Sequence, residues 1–235
     1  MKIEVLYPEV ANLYGDLQNA RYLARSCGAE IVNTSLGEEP LFASGDPALV
    51  YLGCTTERGQ SLIRDALEPY GDLLKKRAEF GLPVLATGNA QEIFGEYIED
   101  PDGSIEKMLG WFPVHAEREM DRRYNSLYWG KLEGMDIFGF KSQFGHSAGD
   151  NGAGLFRTER GAGLNPNVKA EGLRLGNFMA TYVLGPLVIL NPPFAKYLLR
   201  LMGVAEPALA FEEAAMDVYE RRRAEFTDPN TGFIY

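Results

Sequence analysis

The chain has 235 residues, 46% hydrophobic and 24% charged, with 33 acids against 23 bases and a formal charge of −10. That composition suits one α/β globule with a core of useful size. It offers no positive face for counterion-release binding of nucleic acid, since basic runs are as short as Arg221-Arg222-Arg223. Two cysteines, Cys27 and Cys54, are too few for a disulfide framework or a four-thiol zinc site, and His115 and His146 are isolated, so neither metal nor cofactor is expected. Met1-Lys2-Ile3 leads straight into an apolar run rather than a leader peptide. The longest nearly uncharged stretch, Phe178 to Phe194, is short for a membrane span and broken at Gly185-Pro186. A reducing cytoplasm is the expected location.

Strand-like and helical patterns alternate over the first hundred residues. Ile3 to Tyr7 reads as a strand. Asp16 to Gly28 reads as a helix with Leu17, Ala20, Leu23, Ala24 and Cys27 on its apolar face, Asp16 as N-cap and Gly28 as stop. Ala29 to Val32 and Ala48 to Leu52 read as strands, Thr56 to Leu67 and Pro69 to Phe80 as helices, Leu82 to Thr87 as a strand and Ala90 to Tyr97 as a short helix. The alternation predicts a mostly parallel sheet with helices on both faces, and ligand loops beyond the strand ends at 7–14, 53–57 and 87–91. Between Met108 and Gly154 the pattern changes to short strands and glycine turns: Tyr124 to Leu132, Ile137 to Gln143 and, beyond them, Leu155 to Thr158 suggest antiparallel additions. Phe178 to Leu190 is a buried apolar run, Pro193 to Met202 and Pro207 to Arg223 read as helices, and Phe226 to Tyr235 is turn-rich. Residues 1–203 form the main domain of this reading. Residues 204–235 add a C-terminal helix and tail packed on the same core.

Five segments carry a resemblance. They are Asn12-Leu13-Tyr14-Gly15-Asp16 after Tyr7-Pro8, Val50-Tyr51-Leu52-Gly53, Leu85-Ala86-Thr87-Gly88-Asn89-Ala90-Gln91, Gly139-Phe140 through His146, and Thr181-Tyr182-Val183-Leu184-Gly185-Pro186-Leu187. In this order they resemble the class I glutamine amidotransferases of the cobyric-acid-synthase (CobB/CobQ-like) type, and among these the glutaminase subunits of lipid II isoglutaminyl synthases. The resemblance implies a flavodoxin-like three-layer sandwich. It also implies glutamine hydrolysis by a cysteine on a sharp strand-to-helix turn, a histidine base and a glycine-loop oxyanion site.

Here the resemblance places Gly88 at the nucleophile position and Leu184 at the general-base position, so neither catalytic side chain is retained. The oxyanion loop becomes Gly53-Cys54-Thr55, and Thr87 and Asn89 flank the turn. Threonine without an adjacent base is a poor substitute. Cys54 is the one candidate for a relocated nucleophile, against the plainer reading of a packed thiol. Asn12, Tyr14, Asp16 and His146 are a vestigial site or, more simply, capping and structural hydrogen-bonding groups. Three functions stay open: an inactive subunit partnering a Mur-ligase-like enzyme of peptidoglycan amidation, an active amidotransferase using Cys54, and a module that binds a small molecule such as glutamine or glutamate.

Overall fold

A computed structural model describes residues 1–233. The elements run β1 (Lys2–Leu6), α1 (Gln18–Cys27), β2 (Glu30–Thr34), the single turn α2 (Leu41–Ser44), β3 (Leu49–Leu52), α3 (Glu57–Leu67), α4 (Gly71–Glu79) and β4 (Val84–Thr87). A 3-10 run, Gly88–Phe94, follows. Then come β5 (Tyr97–Glu99), β6 (Ile105–Lys107), β7 (Val114–Arg118), β8 (Tyr124–Leu132), β9 (Met135–Gln143), β10 (Gly145–Gly149), β11 (Phe156–Arg160), β12 (Ala170–Glu171), β13 (Leu173–Leu175) and β14 (Phe178–Thr181). Helices α5 (Leu187–Leu190), α6 (Pro192–Leu201) and α7 (Glu212–Thr227) close the chain.

The main sheet has the order β13-β14-β4-β3-β1-β2, parallel throughout except for the edge strand β13. From β2 inward this is the doubly wound flavodoxin-like order, which reverses between β1 and β3. Parallel strands covered on both faces need apolar residues at successive positions, and β3 and β4 are buried along their whole length. Ile3, Val5, Leu49, Tyr51 and Leu85 face α1, α5 and α6; Leu6, Val50, Leu52, Val84 and Ala86 face α3, α4 and the 3-10 run. Glu4 is the exception in β1. It is fully buried, and its carboxylate accepts Thr34 Oγ1 (2.6 Å) and the Leu41 and Phe42 amides (2.5 and 2.9 Å), capping α2.

Two smaller sheets, β10-β7-β5-β6 and β12-β11-β8-β9, supply the antiparallel additions. The β8–β9 hairpin pairs in full register from Tyr124↔Gln143 to Leu132↔Met135. It turns at Glu133 and Gly134, both at positive φ as a two-residue turn of this twist requires. The main chain of Phe140 in β9 exchanges hydrogen bonds with Leu184 (3.2 and 2.9 Å), which anchors the hairpin over the end of β14.

Several sequence expectations change. The helix expected at Ala90 to Tyr97 is the 3-10 run, and Tyr97 opens β5 instead. The apolar run Phe178 to Leu190 divides into β14 and α5 around a cis Gly185–Pro186 bond. The last helix begins at Glu212 rather than Pro207 and runs past Arg223, because Phe211 takes a left-handed conformation and Glu212 accepts the Leu209 amide (3.0 Å). Cys27 sits half-buried at the margin of the core. Asp16 does not cap α1: the helix starts at Gln18 behind Leu17, and the Asp16 side chain turns into the core. Of the turn-rich tail, Ile234 and Tyr235 lie outside the described residues.

Candidate functional site

The loops after β1, β3 and β4 converge at the carboxyl end of the sheet, where the strand order reverses. Thr87 ends β4, and Gly88 turns the chain at once into the 3-10 run with φ +63°. A β-carbon on residue 88 would stand 2.5 Å from Cys54 Sγ and 2.7 Å from Cys54 Cβ. Only glycine satisfies both that conformation and that approach. Gly53 is held for a related reason, since a β-carbon there would meet the Ala11 carbonyl oxygen at 2.5 Å. The thiol of Cys54 thus fills space beside the turn that a side chain at position 88 would claim.

Asp16 ties the three loops together. Its carboxylate accepts the Asn19 side-chain amide (2.8 Å), the Cys54 backbone amide (3.0 Å) and the Thr87 hydroxyl. Tyr51 donates its hydroxyl to the Asp16 carbonyl (2.9 Å), lies 2.9 Å from Thr87 Oγ1 and accepts from Asn19 (2.9 Å). Asn19 Oδ1 in turn accepts the Val188 amide (2.8 Å), joining α1 to α5. Burial raises the Asp16 pKa above the usual carboxylate range, and these hydrogen bonds pull against that rise. Asn12 Oδ1, not Asp16, accepts the amide of Leu17, the residue just before α1 (3.3 Å). Tyr14 stays exposed at φ +58°, edge-on to Phe140, with its hydroxyl 3.4 Å from Arg123 Nη1.

An oxyanion site needs backbone amides that are free to face a developing charge. The Cys54 amide is taken by Asp16, and the Thr55 amide donates to Asn89 Oδ1 (3.0 Å). That same Asn89 oxygen also receives the Cys54 thiol (3.4 Å). Burial first, and the Asp16 charge second, push the thiol up to about 12. Cysteine nucleophiles need the opposite shift, normally from an imidazolium or a helix N-terminus.

Leu184 is fully buried and carries no proton. The imidazoles lie elsewhere. His115 stacks on Tyr97 (4.7 Å between centroids) and faces Glu117, and His146 on β10 accepts from the Gln143 side-chain amide at Nδ1. Neither is a hydrogen-bond partner of Cys54. Among the described residues no group of three His, Cys, Asp or Glu side chains could hold a metal ion. What remains over the turn is a cavity of about 180 Å³ lined by Tyr14, Cys54, Asn89, Arg123, Gln143 and Tyr182 among others. Sequence reasoning missed Arg123, Gln143 and Tyr51. The only available signal for Arg123 was a dibasic pair in an acid-rich chain. Tyr51 and Gln143 lay inside two of the resembling segments, but as strand residues they carried no mark of a place in the site.

A flavodoxin-like parallel sheet, a glycine turn after its fourth strand and three converging loops define a class I glutamine amidotransferase architecture. The chain belongs to the CobB/CobQ-like glutamine amidotransferase domain family, whose model matches residues 2–188. It is 26% identical over 212 residues to the lipid II isoglutaminyl synthase (glutamine-hydrolysing) subunit GatD of Staphylococcus aureus strain N315, an alignment covering 90% of this chain and 85% of that one. A crystal structure of a glutamine amidotransferase matches with a TM-score of 0.54 at 18% identity, covering 86% of this chain and 99% of the other.

Proposed function

We propose that this chain is an amidotransferase-like subunit without glutaminase activity, which binds and positions a Mur-ligase-like partner that forms amides on a peptidoglycan precursor. The relative GatD is named as a subunit of a lipid II isoglutaminyl synthase, and that name supports the partner and the pathway. The observation that carries the loss of hydrolysis is the packing at the turn: Cys54 Sγ stands 2.5 Å from where a β-carbon of residue 88 would lie. A displaced nucleophile would need a base to lower the cost of the thiolate. Cys54 has burial and the Asp16 carboxylate beside it instead, and both favour the neutral thiol, while the Asn89 contact pulls the other way without offsetting them. Removing nucleophile and base together leaves amide cleavage without an attacking atom or a proton carrier.

The test is glutamate release from glutamine, measured on the purified chain alone and mixed with a Mur-ligase-like subunit from the same organism. The expected result is no release above a no-protein control, together with amide formation by the complex when free ammonium is supplied. Alkylation of the native protein near pH 8 is expected at Cys27 and not at Cys54, whose thiolate fraction there is on the order of one in ten thousand. Glutamine hydrolysis that disappears in Cys54→Ala would overturn the proposal.

A further inference from the structure

A second cavity, of about 370 Å³, opens on the other side of Gln143, between β8, β9, β10 and the 161–166 loop. Arg122, Arg123, Tyr124, Asn125, Lys141 and His146 line it, and among the described residues no Asp or Glu does, although acids outnumber bases 33 to 23 in the chain.

Its hydrogen-bonding capacity is one-sided. Gln143 Nε2 donates to the Gly145 carbonyl (2.6 Å), which can only accept, and this fixes the orientation of the amide. The second Nε2 proton points to His146 Nδ1 at 2.8 Å, so Nδ1 accepts and the neutral ring carries its proton on Nε2. That Nε2 is buried and has no partner among the described residues. Burial, with Lys141 and Arg122 nearby, lowers the His146 pKa, which keeps the ring in this neutral tautomer.

The other lining groups repeat the bias. Lys141 is 2% exposed and spends two of its three protons on the Gly163 carbonyl (2.7 Å) and Glu171 (3.1 Å), leaving one. Asn125 uses its oxygen to accept from Ser142 (2.8 Å), which leaves its amide protons available. Arg122 lies over the Tyr124 ring at 4.8 Å and Arg123 over the Phe144 ring at 4.2 Å, and among the described residues neither is salt-bridged. The two nearby carboxylates are engaged: Glu171 pairs with Lys141, and Glu119 accepts the Tyr124 hydroxyl (2.6 Å). Among the described residues, Gln143 Oε1 is a buried acceptor of the cavity left without a partner.

Donors in excess, unpaired guanidiniums and a wall of Tyr124 and Pro166 select an acceptor-rich ligand with a small apolar part. We infer that this cavity is a binding site for a small oxyanion, a carboxylate or phosphate ester, held by His146 Nε2 and Lys141 at the floor and by Arg122 and Arg123 at the mouth. The site is separate from the degenerate turn, and it shares Gln143 and Arg123 with the cavity there. Occupancy of the one is therefore positioned to alter the other.

The experiment is calorimetric titration of the full chain with inorganic phosphate, citrate and glutamate, each followed in parallel by the His146 imidazole resonances. Saturable binding by at least one probe is expected, with a shift of the Nε2 signal. Loss of one charge-assisted hydrogen bond should weaken binding by roughly tenfold in Arg122→Gln and in His146→Phe. Arg21→Gln on α1, far from the cavity, should leave it unchanged. Phosphate binding alone assigns a phosphate ester, and citrate or glutamate binding a carboxylate. No saturable binding by any probe overturns the assignment. So does binding that neither moves the His146 signal nor weakens in Arg122→Gln, and that readout stands even if His146→Phe fails to fold.

Discussion

A side chain at position 88 and the thiol at position 54 compete for one volume, since the built β-carbon of residue 88 falls 2.5 Å from Cys54 Sγ. Gly88→Ala adds the cost of a left-handed residue to that of overpacking a buried site. The expected destabilisation is about 2–4 kcal/mol in urea denaturation. Cys54→Gly alone should also destabilise, by removing a buried thiol and loosening the chain. Combined, the two substitutions should cost less than their sum by on the order of 1–3 kcal/mol, because the second removes the clash that the first creates. Strict additivity would show that residues 54 and 88 do not share this volume. The absence of a side chain at position 88 was legible in the sequence, because Gly88 falls inside a recognisable segment. The filling of its place by Cys54 and the capture of the Cys54 and Thr55 amides by Asp16 and Asn89 were not, because those partners are 34 to 38 residues apart.

Among the elements, the parallel strands and the helices between them follow from local periodicity, since each buries a stripe or a face that the sequence writes directly. The short strands β5, β6, β12 and β13 do not, because two or three residues carry no period and their pairing is set by distant neighbours. Helix α7 is the intermediate case. Its pattern is weakly amphipathic, and it is held mainly by Tyr219 and Phe226. Tyr219 donates to the Asp136 carbonyl (3.0 Å), and Phe226 packs edge-on to Phe138 and Phe233 at 5.4 Å each. Phe226→Ala should cost about 3–5 kcal/mol and render α7 sensitive to limited proteolysis. Val218→Ala, on the exposed side of the same helix, should stay within about 0.5 kcal/mol. Equal effects from the two substitutions would mean that α7 is not docked through Phe226.

For the molecule as a whole, the junction between the main sheet and the β10-β7-β5-β6 sheet decides how rigidly the turn after β4 is held, and a half-buried carboxylic acid sits in that junction. Gln60 of α3 donates to the Asn89 carbonyl and to Glu92 (both 2.7 Å), and its own oxygen accepts from Arg118 of β7 (2.7 Å). Burial raises the Glu92 pKa from 4.5 to about 7, against the pull of Gln60 and Arg118, while the charge of Glu57 adds to the rise. A carboxyl whose folded value lies above its unfolded one binds more protons in the native state, so it favours folding at low pH and loses that contribution as pH rises through about 7. The isosteric Glu92→Gln keeps an acceptor for Gln60 and cannot ionise. Urea midpoints of the two proteins, compared from about pH 5 to about pH 8, should therefore converge or cross as pH rises, with the wild type losing ground relative to the variant. A difference that stays flat across this range, or that moves in favour of the wild type, would place the Glu92 carboxyl in solvent and leave the junction held by Gln60 and Arg118 alone.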